Sequence, residues 1–188
     1  FKVIESNALK MLPIKDDHDI FFDIEGDHLT EGGLEYLFGL LIQNKVNYDY
    51  NKPLQAGCGF PANISVNEAV AHYTSSPNNK DYIIQENDIV KVDFGVHNLG
   101  YITDSAQTFH FNSKYDEFIQ VSKDATNYAV SLCGVDVNLG DLGKDIEEYV
   151  TSKEVTIDNK LYPLYTLKDL TGHNIGPYII HKSKALPN

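Results

Sequence analysis

Two β-rich segments joined by a very short linker constrain the fold of this chain more than any other feature. The first runs from Asp88 to Val96 and the second from Tyr101 to Phe109, and both are rich in β-branched and aromatic residues. The linker, His97-Asn98-Leu99-Gly100, has the length and composition of a tight turn in which Gly100 supplies a positive φ. The pattern predicts an antiparallel β-hairpin.

This hairpin brings two aspartates to the same face. If Asn98 and Leu99 form a two-residue loop, counting back along both strands places Asp93 directly opposite Asp104, with Cβ atoms about 4.5–5.5 Å apart. Facing like charges destabilise a half-buried sheet, so the pair requires a shared proton or a bound cation. Carboxylates of this kind can hold two metal ions about 3.5–4 Å apart. A solvent-facing pair that tolerates the repulsion is the alternative.

The rest of the chain predicts an α+β fold with antiparallel strands. Apolar residues recur with helical spacing in three segments, Leu34–Leu41, Phe118–Leu132 and Leu142–Val150. A second hairpin is expected around Asp158-Asn159, and a short strand at Ile64–Asn67. The segment Gln55–Pro61 is expected to be irregular because glycine and proline interrupt it. Residues 1–188 are treated as one domain.

Composition narrows the classes of partner. The chain has 27 acidic and 15 basic residues, all of the latter lysine, and a net charge of −12. Such a chain is poorly suited to bind nucleic acid, which requires dense Lys and Arg contacts to phosphate. No segment has the length and apolarity of a membrane span. The two cysteines, Cys58 and Cys133, are too few for a disulfide scaffold, so we expect them to be reduced and the protein cytoplasmic.

The seven histidines add candidate metal ligands. His173 is bracketed by Gly172 and Gly176, and such a setting suits a side chain held at a site. His72 and His181 each follow an apolar run, and either one alone is equally compatible with a core or surface role. The remaining four, His18, His28, His97 and His110, are expected to be surface or structural residues. Imidazole beside carboxylates is the usual ligand mixture of a catalytic Zn, Mn, Fe or Co site.

Five short motifs, in this order, resemble those of the type 2 methionine aminopeptidases. They are Ala71-His72-Tyr73-Thr74, Lys91-Val92-Asp93-Phe94-Gly95, Ile102-Thr103-Asp104, Gly172-His173-Asn174-Ile175-Gly176 and Ile180-His181-Lys182. The numbers of residues between the motifs also agree with the spacing in that family. The resemblance extends over residues 55–187 and is loose over residues 1–54.

The resemblance implies a pita-bread α+β fold and removal of the initiator methionine from nascent polypeptides, with the ribosome as a further partner. By the match, Asp93, Asp104 and His173 are ligands of two divalent metal ions (Co, Mn, Fe or Zn). His72 would line the substrate pocket at the scissile peptide, and His181 would line it near the carbonyl group; both count as catalytic. The implied chemistry is attack of a metal-bound hydroxide on the methionine carbonyl.

The chain also departs from the family pattern. The family completes its metal site with two further glutamates nearer the C terminus, and this chain ends before either; it also lacks the helical insert of type 2 members. We therefore expect the N-terminal part of a catalytic domain, which binds metal poorly and is inactive alone. Two alternatives are a non-catalytic pita-bread homologue that acts as a ribosome- or protein-binding module, and a prolidase-like metallopeptidase.

Overall fold

The computed structural model describes residues 49, 51–74, 82–182 and 185–186, which form antiparallel strands and helices, and confirms the α+β class. In chain order the elements are β1 (Ala56–Val66), β2 (Ile89–Asn98), β3 (Tyr101–His110), a short 3₁₀ turn (Ser113–Tyr115), α1 (Asp116–Leu132), α2 (Leu139–Thr151), β4 (Glu154–Ile157), β5 (Lys160–Pro163), β6 (Gly172–His173) and β7 (Ala185–Leu186). The helix predicted over Leu34–Leu41 lies outside the described residues.

Strands β1, β2 and β3 form one antiparallel sheet with β2 in the centre. Val90 and Val92 of β2 point into a core with Ile64 and Val66 of β1, and all four are at most 8% exposed. Each such burial stabilises the fold by roughly 1.5–3 kcal/mol. Side chains alternate along a strand, so Asp93 necessarily points to the opposite face. The apolar face thus fixes which face of the sheet carries the acids.

Strand β1 begins at Ala56, so the prediction that Gln55–Pro61 is irregular is wrong. The glycine and proline residues do make the strand irregular. The pairing of β1 with β2 shifts register between Cys58 and Phe60 and again between Phe60 and Asn63. Glycine and proline are tolerated in edge strands at such irregularities, and among the described residues β1 is an edge strand of this sheet. The sequence signal identified the interruptions but not the strand that accommodates them.

The β2–β3 hairpin forms as predicted, but its loop is Leu99-Gly100 rather than Asn98-Leu99. Leu99 has φ 50° and Gly100 has φ 84°, the two positive values that a type I′ turn requires. Placing glycine at the second loop position satisfies one of them without steric cost. Asp93 therefore pairs with Ala106 and Asp104 with Gly95, so the prediction that the two aspartates face each other directly is wrong.

The error in register is two residues, which preserves the face of every side chain because strands have a period of two. Asp93 and Asp104 thus remain on one face, as diagonal rather than direct neighbours. Diagonal neighbours on adjacent strands have Cα atoms about 7–8 Å apart, within reach of longer side chains and of a shared ligand. The shared face is confirmed, and the direct opposition is replaced by a diagonal one.

The other two predicted helices are present as α1 and α2, which pack through the stacked rings of Tyr128 and Tyr149, with centroids 4.7 Å apart. The side chain of Asn138 caps α2 by accepting hydrogen bonds from its first backbone N–H groups. The second hairpin is also confirmed, with Asp158 and Asn159 at φ 51° and 60° between β4 and β5. Among the described residues, no helix is long and apolar enough to cross a membrane.

Candidate metal centre

The polar face of the central sheet carries the two aspartates. Asp93 is half-buried on β2, where burial and then the charge of Asp104 raise the pKa of its carboxyl above the ordinary value. The imidazoles of His72 and His173 act in the opposite direction on this pKa. These four side chains therefore lie within electrostatic range of one another. Burial and a neighbouring negative charge disfavour the ionised form of this carboxyl, and a nearby positive charge would stabilise it. This is the property expected of a cation site.

His173 reaches this face from β6, far along the chain. Its Nε2 atom lies 3.5 Å from Oδ2 of Asp104. Gly172 and His173 form a two-residue strand paired with Ala185–Leu186. Gly172 lies close to Leu186, since a Cβ added there would be 3.1–3.2 Å from atoms of the Leu186 side chain. The structure thus brings together one carboxylate and one imidazole that the sequence proposed as ligands.

The other two predicted site histidines border the same region. The ring of His181 contacts the ring of His173 edge-on, with centroids 4.0 Å apart. His72 is exposed and has φ 61°, a left-handed conformation that is uncommon outside glycine, although histidine adopts it more often than most residues. The next residue, Tyr73, is tied to β1 because its carbonyl accepts from Ile64 N and its N–H donates to Ser65 Oγ. These bonds hold His72 beside β1, on the side of the sheet where Asp93 lies.

The donor set fits a divalent metal in chemistry. Oδ1 of Asp93 and Nδ1 of His173 are buried and have no hydrogen-bond partner among the described residues. Metal ligands lie about 2.0–2.2 Å from the ion, so two ligands of one ion can be up to roughly 4 Å apart, and the 3.5 Å between Asp104 and His173 is compatible with this. As placed, however, no three His, Cys, Asp or Glu side chains of the described residues converge closely enough to enclose an ion.

Two residues of this face were missed by the sequence reasoning. Asn63 pairs with Asp93 across β1 and β2, is 8% exposed, and its Oδ1 has no partner within the described part of the chain. The ring of Phe60 lies over Gly95, where any Cβ would overlap it. Gly95 in turn pairs with Asp104. Gly95, which follows Asp93-Phe94, was a sequence signal that another group packs closely there. The positions of Phe60 and Asn63 could not be predicted, because they depend on the irregular pairing of β1 with β2.

Cys58, His97 and His110 have different surroundings. Partial burial raises the pKa of the Cys58 thiol, which disfavours the thiolate that a nucleophile needs. His97 is buried at the hairpin turn, where its Nδ1 atom accepts from Gly100 N at 3.4 Å. His110 ends β3 and lies 3.4 Å from Asp116 at the start of α1. Within the described part of the chain, none of the three forms a hydrogen bond or ion pair with Asp93 or Asp104.

Comparisons with known proteins agree with the motifs. The profile described as metallopeptidase family M24 matches residues 33–188. Methionine aminopeptidase 2-1 of Fusarium vanettenii is 48% identical over 71% of this chain and 30% of that protein. Methionine aminopeptidase 2-2 of Aspergillus flavus is 42% identical over 86% of this chain and 35% of that protein. The chain therefore spans about a third of the length of the curated relatives it matches.

A solved structure supports the fold. The crystal structure of methionine aminopeptidase from Rickettsia prowazekii matches with a TM-score of 0.62 at 24% identity, covering 86% of this chain and 60% of that one. The similarity extends to the fold, which is the pita-bread α+β fold implied by the motifs. The profile match covers most of the chain, and the resemblance to type 2 methionine aminopeptidases is confirmed by the curated relatives. The chain belongs to metallopeptidase family M24.

Proposed function

We propose that the protein containing this chain is a metalloaminopeptidase that removes the initiator methionine from nascent polypeptides in the cytoplasm. The observation that carries the proposal is the contact between Asp104 and His173 on the face that also holds Asp93. Two of these three side chains carry buried atoms without partners among the described residues. Such atoms cost free energy unless a ligand satisfies them.

Asp93, Asp104 and His173 are the proposed metal ligands. A divalent ion held there would polarise the substrate carbonyl and supply nucleophilic water at neutral pH. Two ions are expected, and Co, Mn, Fe and Zn all suit a mixed carboxylate and imidazole set. A histidine binds a metal through a neutral ring nitrogen, so protons should compete with the metal for His173.

His72 and His181 are proposed to bind and orient the substrate. His72 would contact the scissile peptide, and His181, packed against His173, would lie near the carbonyl group. Both residues are exposed, so a peptide can reach them. The Phe60 ring over Gly95 supplies apolar surface beside the acids. An uncharged side chain such as that of methionine can pack on this surface while its backbone faces the polar groups.

The test is methionine release by the natural full-length protein. With Mn²⁺ or Co²⁺ added, we expect it to release Met from the tripeptide Met-Ala-Ser and to leave the dipeptide Ala-Pro intact. Cleavage of Ala-Pro instead would favour the prolidase-like alternative. Absence of Met release by protein shown to contain metal would favour the non-catalytic binding protein, for which ribosome co-sedimentation is the direct assay.

A further inference from the structure

The two parts of the candidate metal centre come from separate segments of the chain. The β2–β3 hairpin carries Asp93 and Asp104, and the segment 172–182 carries His173 and His181. We propose that Tyr178 is a positioning residue that holds the segment with both histidines against the hairpin. The inference rests on the proposed function for what the histidines do, whereas the contacts that position them are independent of any bound metal.

Tyr178 makes three contacts with the end of the hairpin and the chain beside it. Its backbone N–H donates to the carbonyl of Gly100 at 2.8 Å. Its hydroxyl donates to the carbonyl of Leu54 at 2.7 Å. Its ring meets His97 edge-on with centroids 5.6 Å apart. One residue thus links the residues before β1, the β2–β3 turn and the histidine segment.

The absence of a side chain at Gly100 allows the Tyr178 ring to pack against the turn. A Cβ at position 100 would overlap the Tyr178 ring. Gly100 also has φ 84° in the turn that sets the pairing of β2 with β3. The same two-residue turn therefore fixes the diagonal arrangement of the aspartates and provides the docking point for the histidine segment. The Leu99-Gly100 turn thus positions both the hairpin with the two aspartates and the segment with the two histidines.

The backbone of Tyr178 is itself constrained. Its φ of 57° is left-handed, a conformation that is an outlier for a bulky residue and persists only where surrounding contacts determine it. The adjoining chain is closed on itself, because Gly176 and Ile179 exchange backbone hydrogen bonds of 2.8 and 3.0 Å. Lys182 N also donates to the Asn174 carbonyl at 2.9 Å. Fixing Tyr178 in such a closed loop fixes the histidines on either side of it.

The experiment compares three variants in metal-free protein, by NMR and amide hydrogen exchange. Tyr178→Ala removes the ring, Tyr178→Phe removes only the hydrogen bond to Leu54, and Tyr165→Phe is a control because Tyr165 is 75% exposed. We expect Tyr178→Ala to lose the nuclear Overhauser contact between the His173 and His181 rings. Loss of one neutral hydrogen bond in Tyr178→Phe should raise exchange at Gly176 and Ile179 about fivefold.

Amides of the β4–β5 hairpin should be unchanged in all variants, which separates positioning from general loss of stability. If Tyr178→Ala does not fold, the exchange rates of Tyr178→Phe decide. An intact His173–His181 contact in folded Tyr178→Ala, or unchanged exchange in Tyr178→Phe, would overturn the inference. Failure of the wild-type protein to release methionine, with these NMR results as expected, would overturn the proposed function alone.

Discussion

The Oδ2 atom of Asp104 lies 3.5 Å from the Nε2 atom of His173 and joins the acidic hairpin to the histidine segment. The two side chains are 30% and 23% exposed, so solvent ions can reach the contact. In the metal-free protein the two atoms lie at ion-pair distance, and in the proposed metalloenzyme both side chains would be ligands. Substitution of Asp104 is the simplest way to test both roles of this contact.

Asp104→Asn should weaken binding of Mn²⁺ or Co²⁺ by at least about 100-fold, because losing even an outer-shell partner costs 10–100-fold and Asp104 is proposed as a direct ligand. Isothermal titration calorimetry on the natural full-length protein measures the change. Asp145→Asn, an exposed acid on α2, is the control and should bind as the wild type does. Equal affinities in all three proteins would remove Asp104 from the ligand set.

The stability of the metal-free protein should depend on pH through Asp93. Burial and the charge of Asp104 raise the folded-state pKa of this carboxyl above 3.8, so the ionised group destabilises the folded state above that pKa, and the cost disappears as pH falls below 3.8. Asp93→Asn should therefore increase the free energy of unfolding at pH 7 in EDTA, and the increase should shrink towards pH 4.

Urea unfolding at the two pH values measures this effect. Added Mn²⁺ should stabilise the wild type against urea but not Asp93→Asn, because the ion binds only the folded wild-type site. A variant less stable than wild type at pH 7 in EDTA would show that the Asp93 carboxylate is already satisfied without a metal.

Gly95→Ala should destabilise the fold by about 1–3 kcal/mol, since the added Cβ must displace the Phe60 ring. The matched control is Gly134→Ala, where the nearest atom, in Val137, would lie at an ordinary 3.6 Å. Its effect should remain within about 0.5 kcal/mol. Equal effects of the two substitutions, measured by urea unfolding, would contradict the packing of Phe60 on Gly95. In the active protein, Gly95→Ala should also raise KM for methionyl peptides.

Leu99→Asn should stabilise the protein by roughly 0.5–1 kcal/mol, because Leu99 has φ 50° and asparagine tolerates the left-handed region better than leucine. Little burial is lost, since Leu99 is 58% exposed. Leu161→Asn is the control at 57% exposure in the extended strand β5, where asparagine is disfavoured and a loss of stability is expected. A destabilised Leu99→Asn would argue against the observed loop register.

Local features were predictable from the sequence because they depend on neighbouring residues. The periodicity of Phe118–Leu132 identified α1, and Asp158-Asn159 identified the turn between β4 and β5. The alternation in β2 also determined that Asp93 lies opposite to the core face. The motifs around His72 and His173 placed the chain in its family, because their spacing is fixed by a shared fold.

The tertiary structure alone decided how these parts meet. The loop of the first hairpin could not be located to the residue from its composition, so the pairing of Asp104 with Gly95 required the structure. The approach of His173 to Asp104 and the contact of Tyr178 with Gly100 join segments distant in sequence. Short-range patterns carry no information about such contacts, because they depend on how complete strands and loops pack together in space. The sequence by itself thus determined the candidate ligands, and long-range packing decided their geometry.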